Sequence, residues 1–176
     1  MADSPVRLKP ATPDDAHRVA EALVRNRDHM RPFEPYRPAA FFTPKAQAER
    51  LADPSVRRWH LDDGTLIVGE ATLSTLVLGP FRSASLGYWI DAAYTGRGLA
   101  TRTVEDVCRA GRDDLGLHRI EASTILANVA SQRVLRKCGF EWIGTAPRYL
   151  HIDGAWRDNH LFQRILHDDD PPHVTP

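Results

Sequence analysis

Residues 88–101 read YWIDAAYTGRGLAT, and this stretch decides the fold because it predicts a strand, a glycine-rich turn and a helix start in succession. Gly96 and Gly98 carry no Cβ, so the backbone there can adopt positive φ and approach a ligand closely. A helix that begins after such a turn directs unpaired N–H groups, and the positive end of its dipole, outward. Such a helix start binds phosphate or pyrophosphate. The turn therefore predicts an anion site, although a G-x-G pattern alone is more often a simple tight turn.

Two common phosphate-binding motifs do not account for this turn. A P-loop requires G-x-x-x-x-G-K-[ST], and no lysine follows either glycine. A dinucleotide fingerprint requires Gly or Ala where the chain has Thr101, and an acidic residue about 20 residues later. Glu121 meets that second spacing, so Thr101 alone argues against a dinucleotide site.

The composition favours one compact domain. We expect a single domain over residues 1–167, with residues 168–176 as a disordered tail rich in Asp and Pro. Lysine and arginine together number 23, as do aspartate and glutamate, so no basic surface indicates nucleic-acid binding. No apolar run approaches the roughly 18 residues of a membrane span, and the N-terminus does not resemble a signal peptide.

Cysteine and histidine usage predicts a reduced, cytoplasmic protein without a metal site. Cys108 and Cys138 fall in predicted helices and form no C-x-x-C pair, which is typical of ordinary core thiols. The eight histidines show no H-x-H or H-x₃-H spacing, so we expect no metal.

The remaining elements follow from periodicity and turn residues. Thr12-Pro13-Asp14-Asp15 predicts a helix start with Thr12 as N-cap, and an apolar stripe follows it. The prolines of residues 31–38 exclude helix interior there, and this segment is equally compatible with a binding loop and a surface connector. The stripe comprises Ala16, Val19, Ala20, Leu23 and Val24. The further predicted elements are a helix over Thr43–Leu51, strands near residues 59–61, 66–73, 86–90 and 119–124, a helix capped by Asn128, and a hairpin through Asp153-Gly154.

Four blocks in this order resemble the GNAT superfamily of acyl-CoA-dependent N-acyltransferases, and within it the RimJ/RimL-like branch. They are LGYWIDAAYTGRGLAT, LGLHRIEA, NVASQRVLRKCGF and DGAWRDNHLFQRI. Together with RLKPATPDDA near the N-terminus, the resemblance covers nearly the whole chain except the tail. It implies an α+β fold of the α/β/α sandwich type. The central twisted sheet would be mixed and mostly antiparallel, flanked by helices and splayed at the acyl-CoA site.

The resemblance also implies the binding site for acetyl-CoA, the co-substrate. Backbone amides in the glycine-rich turn would hold its pyrophosphate. The strand that includes Trp89 and Ile90 would pair its main chain with the pantetheine arm, and Asn128 would hydrogen-bond to that arm. One position departs from the family pattern, since Ala93 stands where Gln or Arg is common. The amides expected at the pyrophosphate belong to Gly96, Arg97, Gly98, Ala100 and Thr101.

Two catalytic roles follow from the same resemblance. Ser131 would donate a proton or hydrogen bond to the leaving thiolate, although a helix serine can also bond to the carbonyl one turn back. Glu121 would act as general base, with Glu70 as the fallback; the alternative for Glu121 is a structural carboxylate paired with Arg119 or another cation.

The family branch suggests the N-terminal α-amino group of a protein or peptide as acceptor. At pH 7.4, deprotonating an α-amino group costs less than about 1 kcal/mol, whereas lysine costs about 4 kcal/mol. Alternatives are a small amine acceptor such as an antibiotic, polyamine or amino acid, a non-catalytic acyl-CoA-binding module, and a mononucleotide-binding protein. The sequence indicates no nucleic-acid or membrane partner, and it leaves open a monomer or a homodimer.

Overall fold

The computed structural model describes residues 6–171 and contains one seven-stranded sheet flanked by helices. Short 3₁₀ turns precede α1, follow α2 and precede α3 and α4. In chain order the strands and α-helices are β1 (Arg7–Pro10), α1 (Ala16–Arg25), α2 (Arg27–Met30), α3 (Pro44–Leu51), β2 (Arg57–Asp62), β3 (Ile67–Val77), β4 (Ser83–Ile90), α4 (Leu99–Asp113), β5 (Arg119–Ile125), α5 (Val129–Lys137), β6 (Glu141–Ile152) and β7 (Ala155–Ile165).

The sheet parts at its centre. Its strand order is β1-β2-β3-β4-β5-β7-β6, and every neighbouring pair is antiparallel except β4 and β5. The parallel pair is matched only from Ser83↔Arg119 to Leu86↔Ala122, so the carboxyl-terminal halves of β4 and β5 are no longer paired. We call this V-shaped gap the splay. Its presence confirms the predicted fold class.

Helices cover both faces of the sheet. On one face, Val104 and Val107 of α4 and Leu135 of α5 pack with Leu86 and Phe162 in the largest hydrophobic core, which defines the α4/α5 face. On the other face, residues of α1 and α3 form a second core that includes Trp89, which defines the α1/α3 face. Because side chains alternate along a strand, Tyr88 and Trp89 reach opposite faces at the splay.

The first helix differs from its prediction in two details. Its opening residues, Pro13–Asp15, form a 3₁₀ turn, and the Asp15 carboxylate accepts a hydrogen bond from the Thr12 N–H at 3.1 Å. The predicted stripe is buried at four positions, but Val24 is 57% exposed. Including Val24 in the stripe was therefore wrong, because α1 is buried along a narrower band than the i, i+3, i+4 pattern suggested.

Two further predictions concern the C-terminal tail and membrane spans. The predicted tail from Asp168 lies mostly outside it, since residues 172–176 are not described. Within residues 6–171, none of the helices combines the length and apolarity needed to cross a membrane.

Candidate active site

The glycine-rich turn leads from β4 into α4 in the conformation that the sequence predicted. Gly96 has φ of 76° and Gly98 has φ of 75°, a region that disfavours residues with a Cβ. Gly98 is the N-cap of α4, and no side chain caps this helix. The first helical bond runs from the Arg102 N–H to the Gly98 carbonyl at 3.1 Å, so the amides of the preceding turn have no partner within the helix.

The other predicted contacts of this turn lie close together. Ala100 and Thr101 belong to the first turn of α4. The Arg97 guanidinium lies 4.7 Å from the centre of the Tyr94 ring and donates to the Ala93 carbonyl at 3.0 Å. The turn thus presents amides and one cation on its exposed side, which suits a pyrophosphate.

A hydrogen-bonded cluster of Arg25, Asn26 and Asp91, which the sequence analysis did not predict, holds the start of this turn in place. The Asp91 carboxylate accepts hydrogen bonds from Arg25 Nε and Asn26 Nδ2, both at 2.8 Å. Asn26 Oδ1 in turn accepts from the Ala92 N–H at 2.9 Å. These contacts attach the end of α1 to the start of the turn across 65 residues of sequence. The only sequence signal for this cluster is the acidic residue Asp91 directly after a predicted strand.

The unpaired half of β4 carries the predicted pantetheine-binding residues. On its other edge it stays paired with β3, through Gly69↔Ile90 and Glu70↔Trp89. Ile90 packs toward α4 with Leu99, whereas Trp89 packs on the α1/α3 face. The edge toward β5 is therefore a strand without a partner strand in the described chain, which is the arrangement that β-augmentation uses.

The N-terminus of α5 lies across the splay from this edge. Asn128 caps α5, since its Oδ1 accepts from the Ser131 N–H at 3.2 Å. The Ser131 hydroxyl lies 2.7 Å from the Tyr88 hydroxyl, so two hydroxyl groups are hydrogen-bonded on the α4/α5 face of the splay. Burial raises the pKa of Tyr88 to about 12, and the phenol therefore stays protonated and able to donate at neutral pH. The sequence analysis proposed Ser131 for this site and did not propose Tyr88.

The predicted base, Glu121, lies on the opposite face of the sheet and is ion-paired. Its Oε1 is 2.8 Å from Arg119 Nη2, and its side chain is 40% exposed. Glu121 pairs with Ser85 one position before the splay begins. The contact with Arg119 is the one considered as the structural alternative, and it lies beside the gap rather than within it.

The fallback base, Glu70, is held in a buried charge network on the α1/α3 face. Arg50 binds both its carboxylate oxygens, at 2.8 and 2.7 Å, and His60 Nε2 lies 3.2 Å from Oε2. Burial alone would raise the pKa of Glu70, but these hydrogen bonds outweigh it and hold the pKa at about 2. The other ring nitrogen of His60 lies 3.2 Å from the Asp15 carboxylate, so His60 satisfies both carboxylates only when both nitrogens carry protons. Glu70 is thus a weak proton acceptor.

A loop and a hairpin tip meet beyond the carboxyl end of β5. The loop is residues 31–38, in which Phe33 is 43% and Tyr36 is 76% exposed. The hairpin tip is residues 150–157 of β6 and β7, which extends beyond the last β5–β7 pair, Ile125↔Asn159. The Asp153 N–H donates to the Glu34 carbonyl at 3.0 Å and joins the two segments. The two segments therefore meet beyond the carboxyl end of β5, where the splay opens.

Other chemical groups are inert or absent in the described part of the chain. Burial raises the pKa of Cys108 to about 11 and that of Cys138 to about 12, so both thiols stay protonated. Residues 6–171 contain no group of three or more His, Cys, Asp or Glu side chains placed to hold a metal ion.

Comparison with known proteins agrees with this geometry. Residues 6–141 match the family model described as the acetyltransferase (GNAT) domain. The chain is 30% identical over 174 residues to a probable N-acetyltransferase, YjcK, of Bacillus subtilis, which covers 94% of this chain and 96% of that protein. The crystal structure of ribosomal-protein-S5-alanine acetyltransferase from Vibrio fischeri is similar with a TM-score of 0.90 at 32% identity, over 94% of this chain and 96% of that one.

A structure with a bound coenzyme is also similar. Mycobacterium smegmatis RimJ in complex with CoA-disulfide has a TM-score of 0.80 and 28% identity, over 91% of this chain and 81% of that one.

Proposed function

The chain belongs to the GNAT acetyltransferase family, and from that premise we propose that it moves the acetyl group of acetyl-CoA to the N-terminal α-amino group of a protein or peptide. The observation that carries the proposal is the parting of β4 and β5 after Leu86↔Ala122, beside the uncapped start of α4. The choice of acceptor is supported by the similarity to a ribosomal-protein-S5-alanine acetyltransferase at 32% identity.

The donor site would extend from the glycine-rich turn into the splay. The amides of Gly96, Arg97, Gly98, Ala100 and Thr101 hold the pyrophosphate, with the positive end of the α4 dipole behind them. The pantetheine arm then runs along the free edge of β4 at Trp89 and Ile90, while Asn128 reaches it from α5. This path leads the thioester to Ser131.

The two hydroxyls on the α4/α5 face would assist the departure of the thiolate. If Tyr88 donates its proton to Ser131 Oγ, the Ser131 proton is free to point at the sulfur. A thiolate with a pKa near 8.5 needs little help, so Ser131→Ala should lower kcat without abolishing transfer. An unchanged kcat, with unchanged affinity for CoA, would contradict the role of Ser131.

The base predicted from the sequence, Glu121, stays a proposal with a direct test. Glu121 is ion-paired with Arg119 beside the gap, so it would act through a water molecule. Glu121→Gln should then lose the acidic limb of the pH–rate profile. If that limb and full activity persist, the base lies elsewhere.

Direct transfer within a ternary complex fits the chemistry of the cysteines. A covalent acetyl-enzyme would need an accessible thiolate, and both cysteines are buried with raised pKa values.

The experiment that tests the proposed acceptor follows acetyl-CoA-dependent release of free CoA with three matched substrates. These are a peptide with the N-terminal sequence of a ribosomal protein S5, the same peptide with a blocked N-terminus and an internal lysine, and spermidine. We expect turnover with the first peptide and product mass spectra that place the acetyl group on its α-amine. Preferential turnover of spermidine, or of the blocked peptide at lysine, would overturn the assignment of the acceptor.

A further inference from the structure

The cation of the glycine-rich turn is held in place by its neighbours. Arg97 is exposed and lies between the two glycines, with its guanidinium carbon 4.7 Å from the centre of the Tyr94 ring. Its Nη2 donates to the Ala93 carbonyl at 3.0 Å, so a second contact orients the same group. An arginine side chain in water samples many rotamers, and ordering it when a ligand binds costs free energy. In this turn the ordering precedes the ligand.

Tyr94 is itself fixed by a carboxylate of the β2–β3 turn. Its hydroxyl donates to Asp63 Oδ2 at 2.5 Å, across 31 residues of sequence. The other carboxylate oxygen, Oδ1, accepts hydrogen bonds from the N–H groups of Thr65 at 2.8 Å and Leu66 at 2.7 Å. Hydrogen bonds from the Leu66 N–H and the Tyr94 hydroxyl lower the pKa of Asp63, so an ionised carboxylate holds the phenol at neutral pH.

A small hydrophobic core supports the same ring. Tyr94 packs against a cluster of three buried residues, which are Leu61, Val68 and Leu99. Leu99 is the first residue of α4, so the ring contacts the helix whose N-terminus forms the turn. A continuous series of contacts therefore runs from Asp63 through Tyr94 to the Arg97 guanidinium.

A full positive charge at this position suits the pyrophosphate of the proposed donor. The amides and the α4 dipole supply only partial charges, equivalent to about half an elementary charge. A guanidinium adds a whole charge and a planar set of N–H donors that matches phosphate oxygens. The Asp63 carboxylate would repel a phosphate, and the cation that contacts the same tyrosine offsets this repulsion.

We propose that Tyr94 is a positioning residue of the donor site, which holds the Arg97 guanidinium where it binds the pyrophosphate of CoA. This proposal rests on the proposed function and deepens its donor site. The backbone amides of the turn would set the place of the phosphates, and Arg97 would add affinity for their charge. Asp63 would contribute indirectly, since it fixes the ring on which Arg97 lies.

The test measures binding of three ligands to Tyr94→Leu, which removes the ring and the hydroxyl but keeps an apolar side chain on the cluster. The ligands are CoA, 3′-dephospho-CoA, which keeps the pyrophosphate, and pantetheine, which has no phosphate. Calorimetry gives the first two dissociation constants, and competition with CoA gives the third. We expect Tyr94→Leu to weaken CoA and 3′-dephospho-CoA alike, about tenfold, as for the loss of one charged hydrogen bond. The affinity for pantetheine should stay unchanged.

Two matched variants separate the ring from its hydroxyl and from the phenols in general. Tyr94→Phe keeps the ring under Arg97 but loses the bond to Asp63, so we expect about a threefold loss of CoA affinity. Tyr149→Phe deletes a phenol hydroxyl on β6, at the edge of the sheet and three strands away from β4, and should leave all three affinities unchanged.

A double-variant cycle tests whether Tyr94 acts through Arg97. Arg97→Ala alone should weaken CoA about tenfold, again without effect on pantetheine. If Tyr94 only positions Arg97, Tyr94→Leu should change CoA affinity little in the Arg97→Ala background. A merely structural role for Tyr94 would not produce this dependence. Unchanged binding of pantetheine shows that the splay keeps its structure in each variant.

Four outcomes would overturn the proposal. They are an unchanged CoA affinity in Tyr94→Leu, an equal loss for pantetheine, a loss for CoA that is absent for 3′-dephospho-CoA, and fully additive losses in the double variant. Failure of the proposed function is distinguishable. A wild-type protein that binds none of the three ligands would overturn the donor site itself. Binding of CoA without acetylation of any peptide would overturn only the acceptor and leave the result for Tyr94 standing.

Discussion

Removing the Tyr88 hydroxyl tests how the proton reaches the leaving thiolate. Tyr88→Phe keeps the ring that packs against the main core but deletes the hydroxyl 2.7 Å from Ser131 Oγ. A hydrogen bond between neutral groups is worth about 1 kcal/mol net. If the bond supports the transition state, its loss should lower kcat about fivefold. The assay is steady-state release of CoA at saturating acetyl-CoA and amine, with the CoA dissociation constant measured separately.

A double-variant cycle shows whether Tyr88 acts through Ser131. If it does, Tyr88→Phe should slow the wild-type protein but should change kcat little in a Ser131→Ala background. Equal fold-changes in both backgrounds would mean that Tyr88 acts independently, and an unchanged kcat in the wild-type background would refute the reasoning altogether.

Two further variants test the phosphate turn and the buried network. Gly98→Ala should weaken CoA binding about tenfold or more through lost amide–phosphate bonds. Gly79→Ala, at a similar φ of 68° in the β3–β4 loop, should cost comparable stability but leave CoA affinity unchanged. Equal CoA affinities in the two variants would contradict a phosphate role for the turn. Because the pKa of Glu70 is lowered from 4.5 to about 2, its contribution of about 3 kcal/mol is present above pH 4.5 and is lost as the pH falls toward 2. Glu70→Gln should therefore flatten the acid unfolding curve in that window and destabilise the protein at pH 7 by about 3–5 kcal/mol. Urea unfolding measures this loss against the exposed control Glu141→Gln. If Glu70→Gln keeps the wild-type acid dependence, the buried network does not determine the acid stability of the protein.

The sequence predicted the fold well where local chemistry is decisive. The positive φ of Gly98, the Asn128 cap and the turn at Asp153 each follow from a residue type whose backbone preference is strong. The resemblance to a family supplied the splay, which no local pattern encodes, because it depends on two strands that are far apart in sequence.

The site residues that the sequence analysis did not predict come together only through tertiary structure. Tyr88 looked like one aromatic residue of a strand, and only the fold brings it to Ser131, 43 residues away. Asn26 and Asp91 are likewise joined only by tertiary structure.

The most direct test of the central claim is a crystal structure of the protein with CoA. We expect the pyrophosphate on the amides of residues 96–101, the pantetheine arm along the free edge of β4, and the sulfur within hydrogen-bonding reach of Ser131 Oγ. Coenzyme bound away from the splay, or closure of the gap by pairing of β4 with β5 beyond Leu86↔Ala122, would contradict it.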